Sequence, residues 1–302
     1  MNYTKTATTF DDQIKKLKSR GLSIDDEPKA LNYLETVGYY RLSGYWFPML
    51  ADKNKHQFKP NSTFSNIINI YNFDKDLRML LFDVIESIEI AFRTKLIYHT
   101  SLEISPWWFE DAGNFKDPEA HTKTLDAIDR ELEQTKENFI RQHYSKYKKD
   151  KHRPPAWKTI EITSFGSISM LYGNLKNNIN SKKLIAVEFG AVNHSYLPSW
   201  LLTITQIRNI IAHHGRLWNK NLPGRPKILS NPPRPWLNNV PPVDEFYKLY
   251  IHIAIMKYLL NIINPKNNLT TNIISLLERY NNIDFKALGL KPGWENEPLW
   301  KV

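Results

Sequence analysis

Apolar residues recur at three- and four-residue steps along most of this chain, the spacing that puts them on one face of an α-helix. The pattern is clearest over residues 63–99, where Ile67, Ile70, Leu77, Leu80, Leu81, Val84, Ile88 and Phe92 form a continuous stripe. Arg78, Glu86, Glu89 and Arg93 fall on a different face. At roughly 100° per residue these four lie within about 80° of one another. The spacing therefore predicts one long helix with an apolar stripe beside a charged one.

Shorter helices are expected on either side. Residues 9–20 carry Asp11 and Asp12 near their start and Gly21 just past their end. Asp25 and Asp26 can cap a second helix that runs through Leu31, Leu34 and Val37 to Gly38. An aromatic-rich turn from Tyr39 to Pro48 follows, and residues 105–118 read as a loop anchored by Trp107 and Trp108. Further helices are expected over 119–148, over 157–176 with Ser164, Gly166 and Ser167 interrupting, and over 180–189. The apolar helix 197–214 ends at Gly215, which readily takes the left-handed conformation that helix ends favour.

Seven prolines between Pro223 and Pro242 forbid regular helix over 222–242, because each removes an amide donor and fixes φ. Helices resume over 243–263 and 268–280, and the tail holds Trp294 and Trp300. No alternating strand pattern and no internal repeat stands out. The expected fold is an all-α bundle with helical insertions and a proline-rich loop before its C-terminal helices.

Composition narrows the function classes. The chain has 302 residues, 41% of them hydrophobic and 24% charged, enough for one large core or two small ones. Lys and Arg number 41 against 31 Asp and Glu, a formal charge of +10. Such an excess suits a polyanionic partner, since Lys and Arg displace counterions from phosphates, although it also serves solubility. The absence of cysteine excludes disulfides, zinc–thiolate sites and cysteine nucleophiles. With no apolar run of membrane-spanning length and no secretory signal at its start, the chain is expected to be cytoplasmic.

One stretch carries chemistry: Gln206-Ile207-Arg208-Asn209-Ile210-Ile211-Ala212-His213-His214-Gly215-Arg216-Leu217-Trp218-Asn219. A permanent guanidinium interrupts an otherwise apolar helix, and two histidines end it at the pole whose dipole attracts cations. Asn209 and His213 are four apart and face the same way. A histidine can move a proton on and off an oxygen near neutrality, and an arginine can hold a phosphate through two bonds while charge develops on it. The pair suits phosphodiester cleavage by the ribose 2′-hydroxyl, which needs neither metal nor cofactor and spares DNA. Arg208 and His213 are five apart, about 140° around a helix. A shared site then requires a frayed helix end or a second copy across a two-fold axis; the second is the favoured arrangement. A His-His pair at a helix end also serves commonly as a cap, and so short a spacing matches by chance.

The stretch resembles the signature of the Abi-like (AbiF/AbiD) family of the HEPN superfamily, whose mark is an Arg separated from a His by four to six residues, often with Asn straight after the Arg. Other segments are similar to further motifs of that family: Gly38-Tyr39-Tyr40-Arg41-Leu42-Ser43-Gly44-Tyr45; Phe73-Asp74 with Leu77-Arg78, Glu86, Ile88-Glu89 and Arg93; and Trp157, Glu161, Ser164-Phe165-Gly166, Ser169 and Leu171-Tyr172. The resemblance spans roughly residues 10 to 222. It implies a HEPN-type helical domain over 1–222, with 105–156 as a helical insertion and 223–302 packed on the same core. It also implies a homodimer with a composite site, metal-independent endoribonuclease activity as a toxin in phage defence, and restraint by a small structured antitoxin RNA. Carried over by position, Arg208 binds and polarises the phosphate, His213 is general acid or base, Asn209 orients the site, and His214 is the second candidate histidine. The alternative from another class is a catalytically silent HEPN module that binds RNA or protein.

Candidate RNA contacts concentrate at 141–153, where Arg141, Lys146, Lys148, Lys149, Lys151 and Arg153 alternate with Tyr144 and Tyr147. Cations interleaved with aromatics suit phosphates and stacked bases, although such a run is also a common solvated helix end. Arg216 joins this set beside the signature. Arg78 and Arg93 could line the same cleft, or form an ion-pair network with Glu86 and Glu89. The aromatic cluster of Tyr39, Tyr40, Tyr45, Trp46 and Phe47 is expected to be core rather than a stacking platform.

Overall fold

The computed structural model describes residue 2 and residues 6–301, and the architecture is all-α. Among the described residues twelve α-helices run in order: α1 Phe10–Ser19, α2 Glu27–Thr36, α3 Tyr39–Trp46, α4 Phe64–Glu103, α5 Pro118–Gln134, α6 Asn138–Lys146, α7 Ala156–Ile162, α8 Phe165–Asn174, α9 Asn180–Glu188, α10 Tyr196–Ala212, α11 Leu249–Ile263 and α12 Leu269–Arg279. A two-stranded antiparallel hairpin, β1 Leu50–Asp52 and β2 Gln57–Phe58, is the one sheet among the described residues. The chain forms two compact units, one of residues 1–79 with 273–284, the other of 80–272 with 285–302. Both α4 and α12 pass from one unit into the other.

In the first unit, Thr9 caps α1 by accepting from the Asp12 amide, and Asp26 caps α2 by accepting from the Lys29 amide. The aromatic segment expected to be a turn is helical, as α3. Gly38, at φ 91°, supplies the positive-φ residue that lets a new helix start after a link of only two residues, Val37 and Gly38. Leu42, Tyr45 and Trp46 then share one buried face, so three- and four-residue spacing wins over turn composition. Tyr45 donates to the buried Asp74 carboxylate at 2.8 Å, and the Arg78 Nε lies 3.5 Å from the same group. Burial, followed by the Asp74 charge, raises the Tyr45 hydroxyl far above its ordinary range, so it stays a donor.

The second unit holds the larger core. Phe92 on α4 meets Phe165, Tyr172 and Phe189 in edge-on and tilted contacts, and α10 lies against α8 and α11. The expected single helix over 119–148 is two. Thr135 takes an extended conformation after α5, and the chain turns so that α5 buries Ile128 and Leu132 while α6 buries Ile140 and His143. Neither Gly nor Pro marks that break, which is why composition does not reveal it. The interruption expected at Ser164 is present, with Ser164 capping α8 through the Ser167 amide. The proline-rich stretch has no α-helix and is pinned where Trp200 donates to the Lys227 carbonyl at 2.7 Å.

No helix among the described residues is long and apolar enough to cross a membrane.

Candidate active site

The signature residues occupy the last turn of α10 and the loop beyond it. This helix buries Leu197, Trp200, Leu201, Ile204, Ile207 and Ile211, which fixes its rotation about its own axis. Asn209 and His213 are thereby left exposed and Arg208 half-buried. His213 is the C-terminal cap residue, its amide donating to the Asn209 carbonyl at 3.0 Å.

The helix stops in a Schellman turn. The His214 amide donates to the Ile211 carbonyl at 2.8 Å and the Gly215 amide to the Ile210 carbonyl at 2.7 Å. The left-handed position belongs to His214, at φ 55°, and not to Gly215 as the sequence suggested. Gly215 is needed for a different reason: a Cβ there would stand 3.0 Å from both the Ile210 carbonyl oxygen and its Cγ2. The left-handed turn sends the His214 side chain away from the helical track that His213 continues, so the two neighbouring imidazoles are not equivalent. Asn209 and His213 share a face, while Arg208 projects about 140° away from His213 around the axis.

The other arginines differ from Arg208 in what holds them. Arg93 is buried; its guanidinium donates to the Ile160 carbonyl, to the Thr163 carbonyl at 2.9 Å and to Glu89 at 2.7 Å. Those donors close the C-terminal end of α7, so Arg93 sits inside the fold rather than on a surface open to phosphate. Arg78 is buried in the first unit, its Nε donating to the Asp74 carbonyl at 3.2 Å. Glu86 remains exposed. Arg153 makes a two-pronged pair with Asp129, both bonds 2.6 Å, with Glu110 beside it. Arg208, in contrast, has no hydrogen bond or ion pair to any described residue, and Arg216 is half-buried in the loop.

The basic segment runs from α6 into a held loop. His152 stacks on Trp107 with centroids 4.6 Å apart and pairs with Glu110 at 2.6 Å, and that carboxylate raises its pKa. With Arg153 also clamped, Arg141, Lys146, Lys148, Lys149 and Lys151 are left exposed around a fixed base. The Lys146 ammonium lies 5.4 Å over the Tyr147 ring, whose other neighbour is the buried His143. Among the described residues no group of three or more His, Asp or Glu is placed to hold a metal ion.

A second feature was not legible in the sequence. A groove of about 610 Å³ runs between α5, α8 and α10, lined chiefly by Gly166, Met170, Gly173, Pro198 and Leu202. The Ser169 and Thr205 hydroxyls meet at its floor, 3.3 Å apart. Lys116 stands at its mouth beside Lys182. Lys182 is buried and donates to the carbonyls of Gly173 and Leu175 at the end of α8. Burial, then the Lys116 charge, brings the Lys182 ammonium down to about 7. These lysines come from distant segments, so no local charge run announces them.

A family model described as Abi-like protein matches residues 32–219, more than half of the chain and inclusive of α3, α4 and the signature stretch of α10. No curated protein and no solved structure gives a match.

Proposed function

The chain belongs to the Abi-like protein family, and from that premise we propose that it is a metal-independent endoribonuclease of the HEPN kind, acting as a toxin in abortive infection. The observation that carries this reading is the state of Arg208. It is a half-buried guanidinium with no partner among the described residues, on a helix whose exposed face holds Asn209 and whose cap is the exposed His213. Partly desolvating a cation without pairing it weakens the fold, and a substrate phosphate is the partner that its fork of donors fits.

In the proposed reaction the ribose 2′-oxygen attacks the adjacent phosphorus as its proton passes to a base. The bond to the 5′-oxygen breaks, that oxygen takes a proton from an acid, and the ends are a 2′,3′-cyclic phosphate and a 5′-hydroxyl. His213 serves as base or acid, Arg208 holds the non-bridging oxygens as charge builds on them, and Asn209 orients the imidazole or the phosphate. Because Arg208 and His213 of one chain diverge around α10, the site is proposed to be completed by a second copy across a two-fold axis. Arg141, Lys146, Lys148, Lys149 and Lys151 then supply phosphate contacts away from the scissile bond. A small structured RNA is the proposed restraint on the toxin.

Expression in growing cells tests the reading. The wild type is expected to arrest growth and fragment cellular RNA, and His213→Ala to do neither at equal protein level. Fragmentation that persists undiminished in His213→Ala and His214→Ala alike would remove the assignment.

A further inference from the structure

The groove between α5, α8 and α10 has apolar walls and lysines about it. Its walls are Met170, Leu202, Pro198 and the bare backbones of Gly166 and Gly173. Met170 and Leu202 are each about half exposed, at 51% and 50%, so an apolar surface stands open to water. Lys116 lines the groove, and two further lysines are exposed on neighbouring segments, Lys183 on α9 and Lys227 on a backbone bonded to Ser199 and Trp200, next to the lining Pro198 on α10. The pKa of His194, just before α10, is lowered first by burial and then by the charges of Lys182, Lys183, Lys116 and Lys227, four ammonium groups near one imidazole. The acid among the lining residues, Asp117, is engaged, its carboxylate accepting from the Glu119 and Ala120 amides as the cap of α5.

We propose that this groove is a binding site for an unpaired nucleotide of single-stranded RNA, its base against Met170 and Leu202 and its phosphates on Lys116, Lys183 and Lys227. Charge complementarity selects the occupant. A second copy of this chain or an apolar peptide would fill the walls but leave the clustered ammonium groups facing one another, whereas RNA supplies an apolar face and anions in the same unit. The two floor hydroxyls can donate to or accept from a base edge. A paired base cannot enter, because its edge and faces are taken up by the duplex. The site lies along α10 from the signature turn, since Leu202 and Asn209 are seven residues apart and share a face. It deepens the ribonuclease reading by naming where the RNA is gripped, yet binding here does not require that reading to hold.

The test is binding of a short fluorescein-labelled single-stranded RNA of mixed sequence to full-length protein carrying His213→Ala, so that cleavage plays no part. Leu202→Asn is expected to weaken binding about tenfold, with the salt dependence unchanged, as loss of apolar contact without loss of a charge does. Lys116→Gln with Lys227→Gln is expected to lower the slope of log K against log salt by about 1.4, roughly 0.7 for each lost phosphate contact. Far-ultraviolet circular dichroism checks that each variant is folded, and Met170→Ser provides a second variant of the apolar wall. Binding and slope unchanged in all folded variants would overturn the site. So would a Leu202→Asn variant that changes oligomeric state without weakening RNA binding, since the groove would then be covered by another copy. Groove-dependent binding together with a wild type that cuts no RNA would keep the site and sink the nuclease.

Discussion

Arg93 and Arg208 both lie on helices of the second unit, and the sequence offers both as phosphate contacts, Arg208 from the signature stretch and Arg93 from the charged stripe of α4. The structure separates them. The Arg93 guanidinium donates three hydrogen bonds within the protein, to Glu89 and to the carbonyls of Ile160 and Thr163, and the side chain is buried. Arg208 is left half-exposed with nothing described to pair it. An arginine that closes a helix end serves the fold; one that is partly desolvated and unpaired weakens the fold unless something outside the chain completes it. The comparison therefore sorts the candidate arginines by their partners rather than by their position in a motif.

The sharpest way to break this contrast is to remove each guanidinium in turn. Arg208→Ala is expected to reduce RNA cleavage by about two to three orders of magnitude, the scale of losing a donor to a developing oxyanion, with the melting temperature unchanged or raised. Arg93→Met is expected to cost about 3 kcal/mol of stability in denaturant unfolding, because it orphans Glu89 and two carbonyls together. Equal loss of stability in both variants would erase the distinction.

Smaller effects refine it at the helix end. Gly215→Ala is expected to destabilise by about 1–2 kcal/mol, since its Cβ would press on the Ile210 backbone. His214→Gly removes a side chain from a left-handed position and is expected to leave cleavage intact. A cleavage defect in that variant as deep as the one in His213→Ala would move the catalytic role to His214. Lys148→Gln with Lys149→Gln is expected to change the rate least, weakening RNA binding with a salt slope lower by about 1.4.

What could be read in advance follows from the range of each interaction. The stripe from Ile67 to Phe92 announced α4 because helical periodicity is local, and the polar Ser164 announced the break before α8. The break at Thr135 left no local mark, because burial of Ile140 and His143 decides it. The aromatic run at 39–46 misled because residues common in turns can still present one buried face. Arg208, Asn209 and His213 were legible as a motif, but the motif could not say that Arg93 and Arg153 would be engaged by carbonyls and carboxylates from other segments. The groove was invisible for the same reason: Lys116, Met170 and Leu202 come together only through the fold.

The most direct measurement incubates purified protein with a defined single-stranded RNA and its all-deoxy counterpart, in EDTA, and identifies the new ends. The account predicts that RNA alone is cut, leaving 2′,3′-cyclic phosphate and 5′-hydroxyl ends, and that Arg208→Ala and His213→Ala sharply reduce the products. Cleavage of the deoxy strand, or products that vanish with EDTA and persist in both variants, would contradict it.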